Sequence, residues 1–160
     1  MKIVSGGQTG VDRAALDAAI ALALPYGGWC PQGGWAEDLP TPPGLLARYP
    51  GLQETPSSEP AERTEGNVRD SDRTLILVDA RGLAVSQGTA LTRRLAERYG
   101  RPHLVVDVDR ADAADRIAAW LDQTGNDLTL NVAGPRESNA PGIYEKARAA
   151  LDRAIKHVRR

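Results

Sequence analysis

Short apolar runs and stretches of helical spacing alternate along this chain from one end to the other. Lys2 to Val4 reads as a first strand and Thr9 to Leu24 as a helix. Gly27 to Cys30 and Leu52 to Thr55 read as short strands. A helix follows, with Ser58 as its cap and Pro60 in its first turn. Then come a strand over Thr74 to Asp79, a helix over Gly88 to Tyr99 and a strand over His103 to Val108. A helix over Ala111 to Gln123, a strand over Leu128 to Val132 and a helix over Pro141 to Val158 complete the series. The run Thr74-Leu75-Ile76-Leu77-Val78-Asp79 lacks polar alternation, as a strand covered on both faces should. Ile143, Tyr144, Ala147, Leu151, Ala154, Ile155 and Val158 recur at helical spacing in the last element. Such alternation calls for βαβ units with right-handed crossovers. The expected fold is therefore α/β, a doubly wound, mainly parallel sheet with helices on both faces.

Composition narrows the function classes. At 160 residues the chain is expected to form a single domain over 1–160, large enough to bury a core without staples. Lys+Arg is 20 and Asp+Glu is 21, which argues against nucleic-acid binding driven by bulk charge. The one cysteine, Cys30, excludes an intrachain disulfide and fits a reducing compartment. Met1-Lys2-Ile3-Val4-Ser5 runs into glycines without an apolar core of signal-peptide length. The longest apolar stretch, Ala18 to Pro25, is too short to span a bilayer. The expectation is a cytoplasmic protein with no membrane partner. Eight of the 11 prolines fall within residues 25–60, which read as an irregular excursion. Its residues 36–57 read either as a lid or oligomer contact, or as a surface segment pinned by Trp29, Trp35 and Tyr49.

In an open parallel sheet, ligands bind beyond the carboxyl ends of the strands. Three special loops follow three strands here. The first is Ser5-Gly6-Gly7-Gln8-Thr9-Gly10, which runs into a helix start. Its glycines permit close approach of a ligand, and helix N-termini attract anions. It is neither a Walker A sequence nor a clean GxGxxG. Thr9 and Asp12 stand three apart as in a capping box, so Asp12 either caps the helix or faces a ligand. The second loop is Ala84-Val85-Ser86-Gln87-Gly88-Thr89. Ser86, Gly88 and Thr89 repeat the small residues and hydroxyls of the first, with a plain N-cap as the alternative. The third is Ala133-Gly134-Pro135-Arg136-Glu137-Ser138-Asn139. Arg136 offers a planar fork for phosphate or pairs with Glu137 or another acid. Ser138 or Asn139 could cap the last helix. Arg63 and Glu65 lie on a helix beside the strand ends and could reach the same crevice. His103, His157 and Cys30 lack metal-ligand or nucleophile partners at useful spacing, so neither a metal site nor a nucleophile triad is expected.

Three blocks together carry a resemblance. They are Ser5 to Leu16, Asn67-Val68-Arg69-Asp70-Ser71-Asp72-Arg73-Thr74-Leu75-Ile76-Leu77, and Leu130-Asn131-Val132-Ala133-Gly134-Pro135-Arg136-Glu137-Ser138. In that order, across nearly the whole chain, they resemble the "putative molybdenum carrier protein" family. The resemblance implies a Rossmann-like fold of the wider lysine-decarboxylase-like group. That group binds nucleotides or related phosphate compounds and usually forms homo-oligomers, here a dimer or tetramer. The family name implies carriage of the molybdenum cofactor, a pterin bearing a phosphate.

The wider group also contains the cytokinin-activating phosphoribohydrolases, which release a base from a nucleoside monophosphate. Their signature is Pro-Gly-Gly-x-Gly-Thr-x-x-Glu with an arginine in the preceding helix. Gly88-Thr89 matches the Gly-Thr pair and Arg63 stands in for the arginine. The glutamate position falls on Thr92, and Ala84-Val85-Ser86 replaces Pro-Gly-Gly. The leading expectation is thus a carrier of molybdenum cofactor or a nucleotide. Ser5, Gly6, Gly7, Gln8, Thr9, Gly10, Arg63, Ser86, Gly88, Thr89, Gly134 and Arg136 are its expected contacts. The alternatives are a nucleotide phosphoribohydrolase-like enzyme using Arg63 with Glu65 or Asp12, and a nucleotide-sensing module.

Overall fold

Six parallel strands form one sheet in the computed structural model, which describes residues 1–125 and 127–160. The strands are β1 (Lys2–Val4), β2 (Tyr26–Cys30), β3 (Leu52–Glu54), β4 (Arg73–Val78), β5 (His103–Asp107) and β6 (Thr129–Ala133). The helices are α1 (Val11–Ala21), α2 (Leu45–Arg48), α3 (Pro60–Arg69), α4 (Gln87–Arg98), α5 (Ala113–Leu121) and α6 (Ile143–Val158). The strand order is β3-β2-β1-β6-β4-β5, and every pairing is parallel. The expected doubly wound α/β fold is what forms. β6 slots between β1 and β4, with Ile3 opposite Leu130 and Thr74 opposite Asn131. The three strands that carry the special loops are therefore immediate neighbours.

Apolar patterning explains the layers. Ile3, Leu75, Leu77, Leu130 and Val132 of the sheet pack with Ala14, Ala15 and Ala18 of α1, Ile117 of α5, and Ile143, Leu151 and Ile155 of α6. Small alanine side chains let α1 settle close to the strands. A separate cluster of Val68, Leu95 and Ala96 packs α3 against α4. Among the described residues no helix is long and apolar enough to cross a membrane.

Several element ends differ from expectation. α1 starts at Val11 rather than Thr9, because Gly10 takes a φ of 80° that breaks helical geometry. It ends at Ala21, before Ala23 turns to a φ of 53°. Glu59, not Ser58, occupies the cap position of α3, and the Ser57 hydroxyl accepts the Glu59 N–H at 3.0 Å. Neither Ser138 nor Asn139 caps α6. Gly142 takes that position, and the Glu137 carboxylate accepts the N–H groups of Gly142 and Tyr144.

The proline-rich excursion is ordered by its own small core. Leu16, Cys30, Ala36, Leu45, Tyr49 and Leu52 cluster there, and Tyr49 donates to Asp17 at 2.6 Å. The Trp29 indole N–H donates to Asp70 at 2.9 Å. Trp29 and Tyr49 thus pin the segment, whereas Trp35 stays 36% exposed. The short α2 has no counterpart in the sequence reading.

Candidate functional site

A cavity of about 330 Å³ opens where the loops after β1, β4 and β6 converge with α3. Gln8 and Asp12 line it from the first loop and α1. Arg63 and Thr64 face it from α3, and Ser86, Gly88, Thr89 and Thr92 from the start of α4. Gly134, Arg136 and Asn139 close it from the third loop.

The start of α4 brings Ser86, Thr89 and Thr92 to the cavity. Ser86 leaves the helix with extended backbone, and its hydroxyl accepts the Thr89 N–H at 3.3 Å. Thr92 donates its hydroxyl to the Gly88 carbonyl at 2.9 Å. Thr89 is only 2% exposed, and its Oγ1 has no hydrogen-bond partner among the described residues. An unpaired buried hydroxyl costs about 1–3 kcal/mol. Thr89 lines the cavity at the positive end of a helix dipole, whose field favours an anion.

Arg63 crosses from α3 to the first loop. Its Nη1 donates to Asp12 Oδ2 at 2.9 Å, with both side chains largely buried. Burial pushes the Asp12 carboxyl up, against the downward pull of the Arg63 guanidinium. Gly6 lies directly beneath Arg63. A Cβ there would fall 1.9 Å from Nη1, so only glycine leaves the guanidinium its place.

The first loop turns most of its polarity inward. Ser5 donates to the Asp12 carbonyl at 3.0 Å, Gln8 N–H reaches the Asp12 carboxylate at 3.4 Å, and Thr9 N–H is taken by the Gln8 side chain at 3.0 Å. A Cβ on Gly10 would meet the Pro135 carbonyl at 2.3 Å, so the first and third loops touch backbone to backbone. Gly7 backs onto Leu45 and Leu52. Among the expected contacts, Gln8, Arg63, Ser86, Gly88, Thr89, Gly134 and Arg136 come together on the cavity, whereas Ser5, Gly6, Gly7, Thr9 and Gly10 do not line it. Of the acids weighed, Asp12 lines it; Glu65 instead accepts from the Tyr99 hydroxyl at 2.6 Å.

Thr64, Thr92 and Asn139 are further wall residues. Thr92 is one helical turn from Thr89, a spacing that could have identified it. Glu37 had no such local signal. Its carboxylate accepts from the Thr9 hydroxyl, from the Ser138 hydroxyl at 2.7 Å and from the Ser138 N–H at 3.4 Å. Arg136 Nη1 stands 3.7 Å away, so the acid that pairs with Arg136 is Glu37. Partial burial works against the Glu37 charge, but the Thr9 and Ser138 donors and Arg136 outweigh it and hold the carboxyl below its ordinary range. Next to it, Asp38 takes both arms of Arg13 at 2.8 Å. Among the described residues no group of three or more His, Cys, Asp or Glu could hold a metal ion.

Comparison with known proteins gives this geometry a lineage. No curated protein matches the chain. A solved structure does, that of a protein named "Putative molybdenum carrier protein" from Syntrophus aciditrophicus SB. It is 42% identical, covers 98% of this chain and 93% of its own, and superposes with a TM-score of 0.80. The family model described as "Circularly permutated YpsA SLOG family" matches residues 3–155. Fold, ordered motifs and both likenesses agree, and the chain belongs to the circularly permutated YpsA SLOG family.

Proposed function

We propose that this protein binds and carries a phosphate-bearing small molecule, of molybdopterin or nucleotide type, in the cavity at the start of α4. One observation carries the reading: Thr89, a residue of the cavity wall, has a buried hydroxyl without a partner among the described residues. A phosphate oxygen supplies the acceptor, and the α4 dipole and Arg63 and Arg136 supply positive potential. The phosphate of a molybdenum cofactor or of a nucleotide fits this donor set equally. The name of the 42% identical relative is consistent with the first. Thermal-shift screening against nucleotides and molybdopterin tests the reading, with Thr89→Val as the control. Stabilisation by a phosphorylated compound that is weakened in the variant supports it; no stabilisation by any such compound refutes it. Carriage as a homo-oligomer, dimer or tetramer, belongs to the same proposal and is checked by light scattering.

A second reading has one observation in its favour. Asp12 is the carboxylate on the wall among the described residues, and burial raises its carboxyl as a general acid requires. Under that reading the protein cleaves a nucleoside monophosphate. Release of free base, lost in a folded Asp12→Asn variant, would select it.

A further inference from the structure

The proline-rich excursion places its own anion among donors beside the cavity. Glu37 is held by the Thr9 hydroxyl, the Ser138 hydroxyl and N–H, and Arg136. Apart from Thr9, these donors come from the third loop, which also walls the cavity through Arg136. Two hydroxyls, a backbone N–H and a guanidinium form a donor set suited to phosphate as much as to carboxylate. The Glu37 side chain is 23% exposed and that of Arg136 is 39% exposed, so solutes reach both. The segment is anchored by more than the carboxylate of Glu37. Its backbone N–H donates to the Gln8 side chain at 3.0 Å, and Asp38 remains clamped on Arg13.

We infer that Thr9, Ser138 and Arg136 form a second anion subsite that Glu37 occupies as an internal stand-in, and that it takes the second phosphoryl group of a ligand carrying two. The inference rests on the proposed phosphate site at Thr89 and deepens it. The cargo class becomes a diphosphate or bisphosphate ester, whose first phosphoryl group sits at the start of α4. Its second displaces Glu37 and frees Arg136 to pair with it.

Calorimetric titration of the wild-type chain, Glu37→Gln and Thr89→Val tests this with inorganic phosphate, pyrophosphate and fructose 1,6-bisphosphate. Loss of the internal charge is expected to tighten at least one two-phosphate probe about tenfold, the size of one charge-assisted hydrogen bond gained. The tightest inorganic phosphate site should change less than about twofold, since it does not contact Glu37. Adding Ser138→Ala to Glu37→Gln should cancel the gain. If phosphate binds in a Thr89-dependent way but Glu37→Gln leaves the two-phosphate probes unchanged or weaker, the second subsite is overturned while the first site stands. A gain in Glu37→Gln that Ser138→Ala cancels and Thr89→Val leaves untouched keeps the subsite and overturns the Thr89 site. Silence of all probes on all variants overturns both.

Discussion

Under the proposed function, Thr89 and Arg63 divide the work of the cavity between recognition and support. The Thr89 hydroxyl has no hydrogen-bond partner among the described residues. Thr89→Val should therefore leave stability unchanged or raise it by up to about 1 kcal/mol, as removal of an orphan donor does. The same change should weaken inorganic phosphate binding about tenfold, the worth of a hydrogen bond to a charged group. Denaturant unfolding and calorimetry on one preparation check both. Arg63 has the opposite balance. Its removal strands the Asp12 carboxylate, whose side chain is only 4% exposed. Arg63→Met should cost about 3–5 kcal/mol in urea unfolding, and adding Asp12→Asn should recover much of it, because a broken buried pair is worse than an absent one.

At the scale of elements, the excursion is a latch built from two adjacent acids. Arg13 holds Asp38 below its ordinary carboxylate range, and partial burial only offsets part of that. Glu37 is lowered too, its donors prevailing over burial. Groups depressed in the folded chain add stability that is fully present above their unfolded pKa, near 4, and lost as pH falls through the lower folded values. Acid titration of the melting temperature should therefore fall more steeply below about pH 4 in the wild-type chain than in a Glu37→Gln, Asp38→Asn variant. Where the first and third loops touch, Gly10 tolerates no side chain. Gly10→Ala puts a Cβ 2.3 Å from the Pro135 carbonyl at a φ of 80°, and should cost about 2 kcal/mol or more of unfolding free energy. The strands and long helices were legible because period and apolar content are local. The latch was not, since Glu37 meets Ser138 across 101 positions of chain. Nor was the Glu137 cap of α6, which reaches forward to Gly142 and Tyr144 rather than standing at the cap position itself. Four-residue α2, enclosed by prolines and glycine, has too few residues to display a helical period.

For the whole molecule, strand order decides which loops cooperate. The sequence yields three loops after three strands, and inserting β6 between β1 and β4 makes them neighbours. That convergence was legible from the alternation of elements and the rule that ligands gather at carboxyl ends. The division of labour among the loops was not. The glycine-rich first loop has the composition of a ligand cradle, yet it lies under Arg63, against Leu45 and Leu52, and against the third loop. Local composition marks where backbone must come close; tertiary structure decides what it comes close to. The chain belongs to the circularly permutated YpsA SLOG family and is similar to a protein named "Putative molybdenum carrier protein", and the binding role proposed for it is centred on α4. A crystal structure grown in inorganic phosphate tests that centre most directly. A phosphate oxygen is expected within hydrogen-bond distance of Thr89 Oγ1 at the start of α4, absent from crystals of Thr89→Val. Phosphate bound instead along Gly6 to Gly10, or equally occupied in the variant, would contradict it.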